Sequence, residues 1–218
     1  MTTEIGPALE ARLWRTALVL ALLTVFYNLL EGLVSVAFGV SDESLSLLGF
    51  GLDSFIETIS GAGILAMVLR IQKHPDTSRS VFERAALRVT GSAFYLLAIG
   101  LIGSGVYNLA YGHVPATTIP GVVISIVSIA TMWLLVREKR KTGIGLSCAP
   151  ILADAQCTMV CIYMSLVLLG ASLIYALTGI GFADSLGAFG LAYLSWSEGR
   201  ESFEKAAAMH AGAGEEEA

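Results

Sequence analysis

The chain has 218 residues, of which 55% are hydrophobic and 14% charged, with a mean hydropathy of +0.73 and a net charge of −5. Soluble domains carry about 25% charged residues, so this balance excludes an ordinary water-soluble domain. With several apolar runs long enough to span a bilayer, it indicates an all-α, polytopic membrane protein. The alternating segments of about ten residues that mark a transmembrane barrel are absent, and no nucleic-acid partner is expected.

In chain order the apolar runs give six expected spans, at 16–38, 45–70, 84–111, 117–136, 148–173 and 179–197. The first is long enough to span and lacks a small-residue cleavage site, so it is expected to be retained. It holds Asn28 and Glu31, and the second holds Asp53 and Glu57. The third opens with Arg84 and Arg88 in its first turns and contains "GLIGSG". That cluster and "SGAG" in the second span are expected to be close-packing helix faces. The fifth holds Asp154 and all three cysteines, Cys148, Cys157 and Cys161, an odd count that argues against a disulfide framework. The sixth is Gly-rich, with Asp184 expected as an N-terminal cap of its own helix. Residues 1–200 are thus expected to form one six-helix transmembrane domain. Residues 201–218, closing on the acidic "GEEEA", are expected to be a short, partly disordered cytoplasmic tail.

Charge placement orients this bundle. Arg12 and Arg15 precede the first span, and Arg70, Lys73, Arg79, Arg84 and Arg88 lie between or at the facing ends of the second and third. Arg137, Lys139, Arg140 and Lys141 follow the fourth, and Arg200 and Lys205 follow the sixth, which accounts for all 13 basic residues on one side. The loops "GVSDESL", "YGHVPATTIP" and "LTGIGFAD" hold none. The positive-inside rule then makes both termini cytoplasmic, in the cell's inner (plasma) membrane.

Acids at bilayer depth are costly and mark a pathway or a binding site. At about 1.5 Å rise per residue, Glu31 and Asp53 fall roughly 5–7 Å outward of the midplane, with Glu57 and Cys161 close to it. Cys157 lies about one turn inward and Asp154 deeper still. Asp53 and Glu57 are four residues apart, as are Cys157 and Cys161, so each pair shares a helix face. The second and fifth spans run antiparallel, so two carboxylates and two thiolates can face one cavity as a four-ligand set for a d¹⁰ divalent ion. Mixed sulfur and oxygen ligands suit Zn²⁺ and shift preference toward Cd²⁺, and they disfavour Mg²⁺ and Ca²⁺. Other roles stay open at this point. Cysteine also packs as a small apolar residue, Asp154 also fits a vestibule acid, and Glu31 fits a proton carrier, a ligand or an exit-path acid. His113, in an outer loop, is expected to be solvated. No Ser–His or HExxH arrangement lies at depth, because His74, His113 and His210 fall outside the bilayer core, so no enzyme is expected.

"SLSLLGFGLDSFIE" resembles the second helix of the cation diffusion facilitators, whose "SxxLLADALHSLSD"-like stretch sets two metal ligands four apart. "ILADAQCTMVC" is similar to the fifth-helix pattern "xADALHxxxD", with Asp154 on its "ADA", and "FADSLGAFGLAYLSWSEGRESFEKA" is similar to the sixth helix. With "YNLLEG" in the first span, "GFGLDSxIE" looks like a divergent branch related to the transmembrane-protein-163 group. The resemblance covers essentially all six spans. It implies a homodimeric metal transporter with Asp53 and Glu57 as ligands, and it puts Cys157 and Cys161 where His and Asp are usual. The family's cytoplasmic C-terminal domain and histidine-rich loop are not expected here, so dimer contacts would come from the spans.

The expected function is a secondary transporter that exports Zn²⁺, or a related ion such as Cd²⁺, from the cytoplasm by proton antiport. Metal binding releases protons and protonation releases metal, which is the coupling that antiport needs. No resident cofactor is required; the divalent ion is cargo, and metal, protons and the lipid bilayer are the partners. The alternative is a non-transporting metal-binding or regulatory membrane protein.

Overall fold

A computed structural model describes residues 7–73, 80–112 and 118–215. Six helices run through them and no strand: α1 (Pro7–Ser41), α2 (Leu45–Lys73), α3 (Ser80–Tyr111), α4 (Ile119–Gly145), α5 (Ala149–Thr178) and α6 (Phe182–Glu215). His74, Arg79, His113 and the last three residues lie outside the described residues. Four of the helices, α1, α3, α4 and α5, are long and apolar enough to cross a membrane.

The sequence builds these helices with an inverted surface. On α1, Thr24, Asn28, Glu31 and Ser35 recur every three or four residues and are all buried, so they form one stripe of a 3.6-residue helix. Ser125, Ser128 and Met132 do the same on α4, and Asp154, Thr158, Cys161 and Ser165 on α5. The opposite faces carry the large apolar side chains: Phe26 is 68% exposed and Leu96 72%. Polar groups inside and Leu, Ile and Phe outside suit hydrocarbon, where the outer face loses nothing and each inner polar group needs a protein partner.

Short connections make the helices alternate in direction. Asp42 to Ser44 join α1 to α2, with Glu43 at φ 55 and the Ser44 amide donating to the Gly39 carbonyl at 3.0 Å. Gly179 ends α5 in the left-handed region at φ 66, where a side chain would be strained. Helix α2 is central, packing against α1, α3, α5 and α6, while α4 pairs with α5 and α1. Leu13 at the start of α1 sits beside Gly145 at the end of α4, and Gly91 near the start of α3 faces Gly199 of α6. The basic ends of the helices therefore meet at one end of the bundle.

Glycines set the closest approaches. A Cβ on Gly91 would stand 3.1 Å from the Gly199 carbonyl, and one on Gly199 would stand 3.2 Å from the Gly91 carbonyl, so the α3 and α6 backbones touch. Within the expected close-packing clusters, Gly61 meets Val25 and Gly105 meets Phe189, while Gly63, Gly100 and Gly103 face open space. At the basic end of α4, Arg137 lies over the exposed Trp133 ring at 5.8 Å, a pairing suited to a membrane boundary.

Two expectations change. Residues 201–215, expected as a tail, continue α6. Arg200–Glu204 and Lys205–Glu201 pairs one turn apart support that helix, and Phe203 stacks on Tyr95 of α3 at 5.6 Å. Asp184, expected to cap its own helix, reaches across to α2. It accepts from the Ser44 hydroxyl at 2.7 Å, the Leu45 amide at 2.7 Å and the Ser46 hydroxyl at 2.5 Å. The orphan amides at the start of α2 are thus satisfied from a neighbour, and the carboxylate lies between two helix N-termini that both favour negative charge.

Asp184→Ala is expected to cost about 2–3 kcal/mol, the scale of losing charge-assisted hydrogen bonds to buried donors. Asp184→Asn, which keeps an acceptor oxygen, is expected to lose roughly half of that. Thermal unfolding in detergent measures both; unchanged midpoints would mean the clasp is incidental.

Candidate functional site

Midway down the bundle α2 and α5 place Glu57 and Cys161 opposite each other, and the Cys161 thiol donates a hydrogen bond to the Glu57 carboxylate. Their helices run antiparallel, so residues far apart in sequence reach the same depth. Cys161 also packs in an apolar cluster with Leu20, Met132 and Ile162. The residue therefore fills core and points its sulfur at an acid.

Around this pair lies a cavity of about 50 Å³, several times the ~10–15 Å³ that one water requires. Thr24 and Asn28 line it from α1, Glu57 from α2, Thr90 from α3, and Asp154, Cys157, Thr158 and Cys161 from α5. Glu198, Ser202 and Lys205 close it from α6. A second hollow of about 270 Å³ adjoins it, sharing Cys157 and Glu198 and bounded by Gln156 and Glu201. Gln156 is exposed, so this hollow reaches the surface toward the basic end.

The structure sorts the expected residues into three settings. Glu57, Cys157, Cys161 and Asp154 line the one cavity. Asp154, however, is already engaged: the Lys139 ammonium lies 2.8 Å from its Oδ2. Glu31 sits beside the cavity rather than in its wall. It accepts from the Tyr27 hydroxyl at 2.9 Å and from the Ser54 hydroxyl at 3.2 Å, with Ser128 close by. Asp53 is 1% exposed, and its Oδ1 has no hydrogen-bond partner among the described residues. Glu57, Glu198 and Glu31 all act on it electrostatically. The Asn28 Oδ1, on a side chain in the cavity wall, is likewise without a donor. A buried acceptor lacking a donor is a costly group that a proton or a cation would relieve.

Among the described residues no three Cys, His, Asp or Glu side chains converge closely enough to hold a metal ion as they stand. The expected four-ligand set is thus present as a contact, Glu57 with Cys161, and two outlying members, Asp53 and Cys157. Two residues that carry the site's charge were not among those expected. Glu198 is buried and faces both hollows, and Lys139 neutralises Asp154. Glu198 lies fourteen residues after Asp184 on the buried stripe of α6, and that spacing was the available signal.

No family model matches the chain, and no curated protein matches it significantly.

Cys157 is half-buried and lines both hollows, whereas Cys148 and Cys161 are buried. A water-soluble maleimide is expected to modify Cys157 about tenfold faster than either of the others. Equal rates in single-cysteine variants would mean that the hollow does not admit water to that depth.

Proposed function

We propose that this protein is a proton-coupled secondary transporter of a divalent transition-metal cation, Zn²⁺ or Cd²⁺, which it exports through the cavity between α2 and α5. The observation that carries the reading is the Glu57–Cys161 contact: a thiol and a carboxylate from antiparallel helices, joined by one proton, inside a bundle with a lipid-type exterior. An M²⁺ ion that takes this place forms bonds to sulfur and oxygen and expels the thiol proton. Protonation of sulfur reverses the step. At least the thiol proton is therefore exchanged at this pair for each metal bound.

The donor set favours a borderline or soft ion, since Cys157 and Cys161 supply sulfur and Glu57 and Asp53 supply oxygen. Cargo would draw Asp53 and Cys157 toward the Glu57–Cys161 pair, which matches a site that must release what it binds. The α2 and α6 helices complete six spans in this reading, with both termini on the cytoplasmic side where the basic residues gather. The resemblance of "GFGLDSFIE" to the metal-binding helix of the cation diffusion facilitators supports the same assignment.

Proteoliposomes holding a metal-sensitive dye test the reading. Zn²⁺ and Cd²⁺ uptake is expected to follow an imposed pH gradient and to be lost in Asp53→Ala and Glu57→Gln. Cys161→Ser is expected to retain some Zn²⁺ flux with weaker coupling to the pH gradient and to lower the preference for Cd²⁺. Metal binding is expected to weaken about tenfold for each pH unit below the range where the thiol proton leaves freely on binding. Flux indifferent to protons would remove the coupling. Binding without flux would make the protein a metal-binding membrane component instead.

A further inference from the structure

Lys139 is the least expected side chain in the bundle. It lies near the basic end of α4, where Arg137, Arg140 and Lys141 turn outward, yet it is 1% exposed. Its ammonium touches the Asp154 Oδ2 at 2.8 Å and donates to the Thr158 hydroxyl at 2.8 Å. Thr158 in turn donates to the Asp154 carbonyl at 2.9 Å. A lysine so close to a helix end could reach water along its own stem; this one points into the protein.

What it touches is the cavity wall. Asp154 and Thr158 line the same hollow as Glu57, Cys157, Cys161 and Glu198, and the Lys139 charge acts on Glu57 as well. The cavity thus already has a cation at its basic end, covalently attached to α4 and bound to an acid of α5. Lys139 stands behind that wall; Lys205 of α6 lines the wall itself, but it pairs with Glu201 of its own helix at 2.8 Å.

We propose that Lys139 is a tethered counter-cation. It holds Asp154 until a divalent ion enters and takes the carboxylate, and it returns when the ion leaves. This rests on the cavity being a cation path, as argued above. The chemistry favours exchange over simultaneous binding. An ammonium and a divalent ion on one carboxylate would repel each other at low dielectric. The divalent ion carries twice the charge and gains Glu57 and the thiols besides, so it displaces the ammonium. On release, the returning ammonium spares Asp154 from standing buried and unpaired, a strongly unfavourable state. Cargo binding and loosening of the α4–α5 clasp thereby become a single event.

The test uses the full chain in detergent and Cd²⁺ as probe, followed by its ultraviolet thiolate charge-transfer band. Lys139→Gln is expected to bind Cd²⁺ about tenfold more tightly than wild type, while Lys139→Arg, which keeps the charge, restores wild-type affinity. In an Asp154→Asn background Lys139→Gln is expected to have a much smaller effect, that of its charge on Glu57 alone. Should the Lys139→Gln protein fail to fold, the wild type still decides. Cd²⁺ is expected to raise acylation of Lys139 by a water-soluble amine reagent, read by mass spectrometry. Wild-type Cd²⁺ binding with Lys139 labelling and Lys139→Gln affinity both unchanged would make the pair a static clasp and overturn the proposal. Cd²⁺ binding in neither wild type nor any variant would instead overturn the transport reading, and the proposal with it.

Discussion

The Asp184 carboxylate fixes where the central helix starts. By accepting from Ser44, Leu45 and Ser46 it ties the first turn of α2 to the first turn of α6. Everything on α2 is then set by helical rise. Glu57 lies about 16 Å below Ser46, and Glu198 about 21 Å below Asp184. The two acids end about one turn apart in depth, close enough to border the same cavity. Sliding along an apolar neighbour changes little in contact area, so polar contacts between helices carry much of the lengthwise register. The polar clasp supplies the register that lipid-like packing lacks.

Below that clasp the bundle treats its acids in different ways. Asp184 and Glu31 are satisfied by hydroxyls or amides, and Asp154 by an ammonium. Asp53 keeps an oxygen without a donor, and Glu57 is met by a thiol. A purely structural set of buried acids would be saturated throughout, because every unsatisfied group in the interior is destabilising. Asp42, in the α1–α2 connection, and the Ser35 and Ser195 hydroxyls also lack partners among the described residues, so what sets the middle of the bundle apart is an acid met by a thiol, Glu57 with Cys161.

Much of this was legible in the sequence, and the limits have physical causes. Helix positions follow from apolar runs, and faces follow from spacing: Asp53 with Glu57, and Cys157 with Cys161, lie four apart and turn inward together. Depth counting placed Glu57 and Cys161 level, and they touch. What spacing alone does not convey is which helix supplies a partner. Asp184 reads as a cap for its own helix because a cap on a neighbour requires knowing that α2 and α6 start side by side. Lys139 was hidden by its company. In "REKRKTGIG" it looks like one of several solvated bases, but α4 runs on to Gly145, and Met132, Val136, Lys139 and Thr142 form one continuous buried stripe. The register of that stripe, extended past the last apolar residue, singles out Lys139 from Arg137, Arg140 and Lys141.

The Arg137–Trp133 pairing has a consequence for the surrounding lipid. It marks one boundary of the apolar surface of α4, and the exposed Ile119 at the helix start marks the other. Eighteen residues of helix separate them, or about 27 Å if the helix stands upright. A typical hydrocarbon core is about 30 Å, so α4 is slightly short for it, and tilting would widen the gap. Eighteen residues is within the range that spans a bilayer, at its short end, so in a thicker bilayer the lipid would have to thin around α4 or the Arg137 side chain reach further to stay in the headgroups. Acyl-chain length thereby becomes a force acting directly on the helix that carries Lys139.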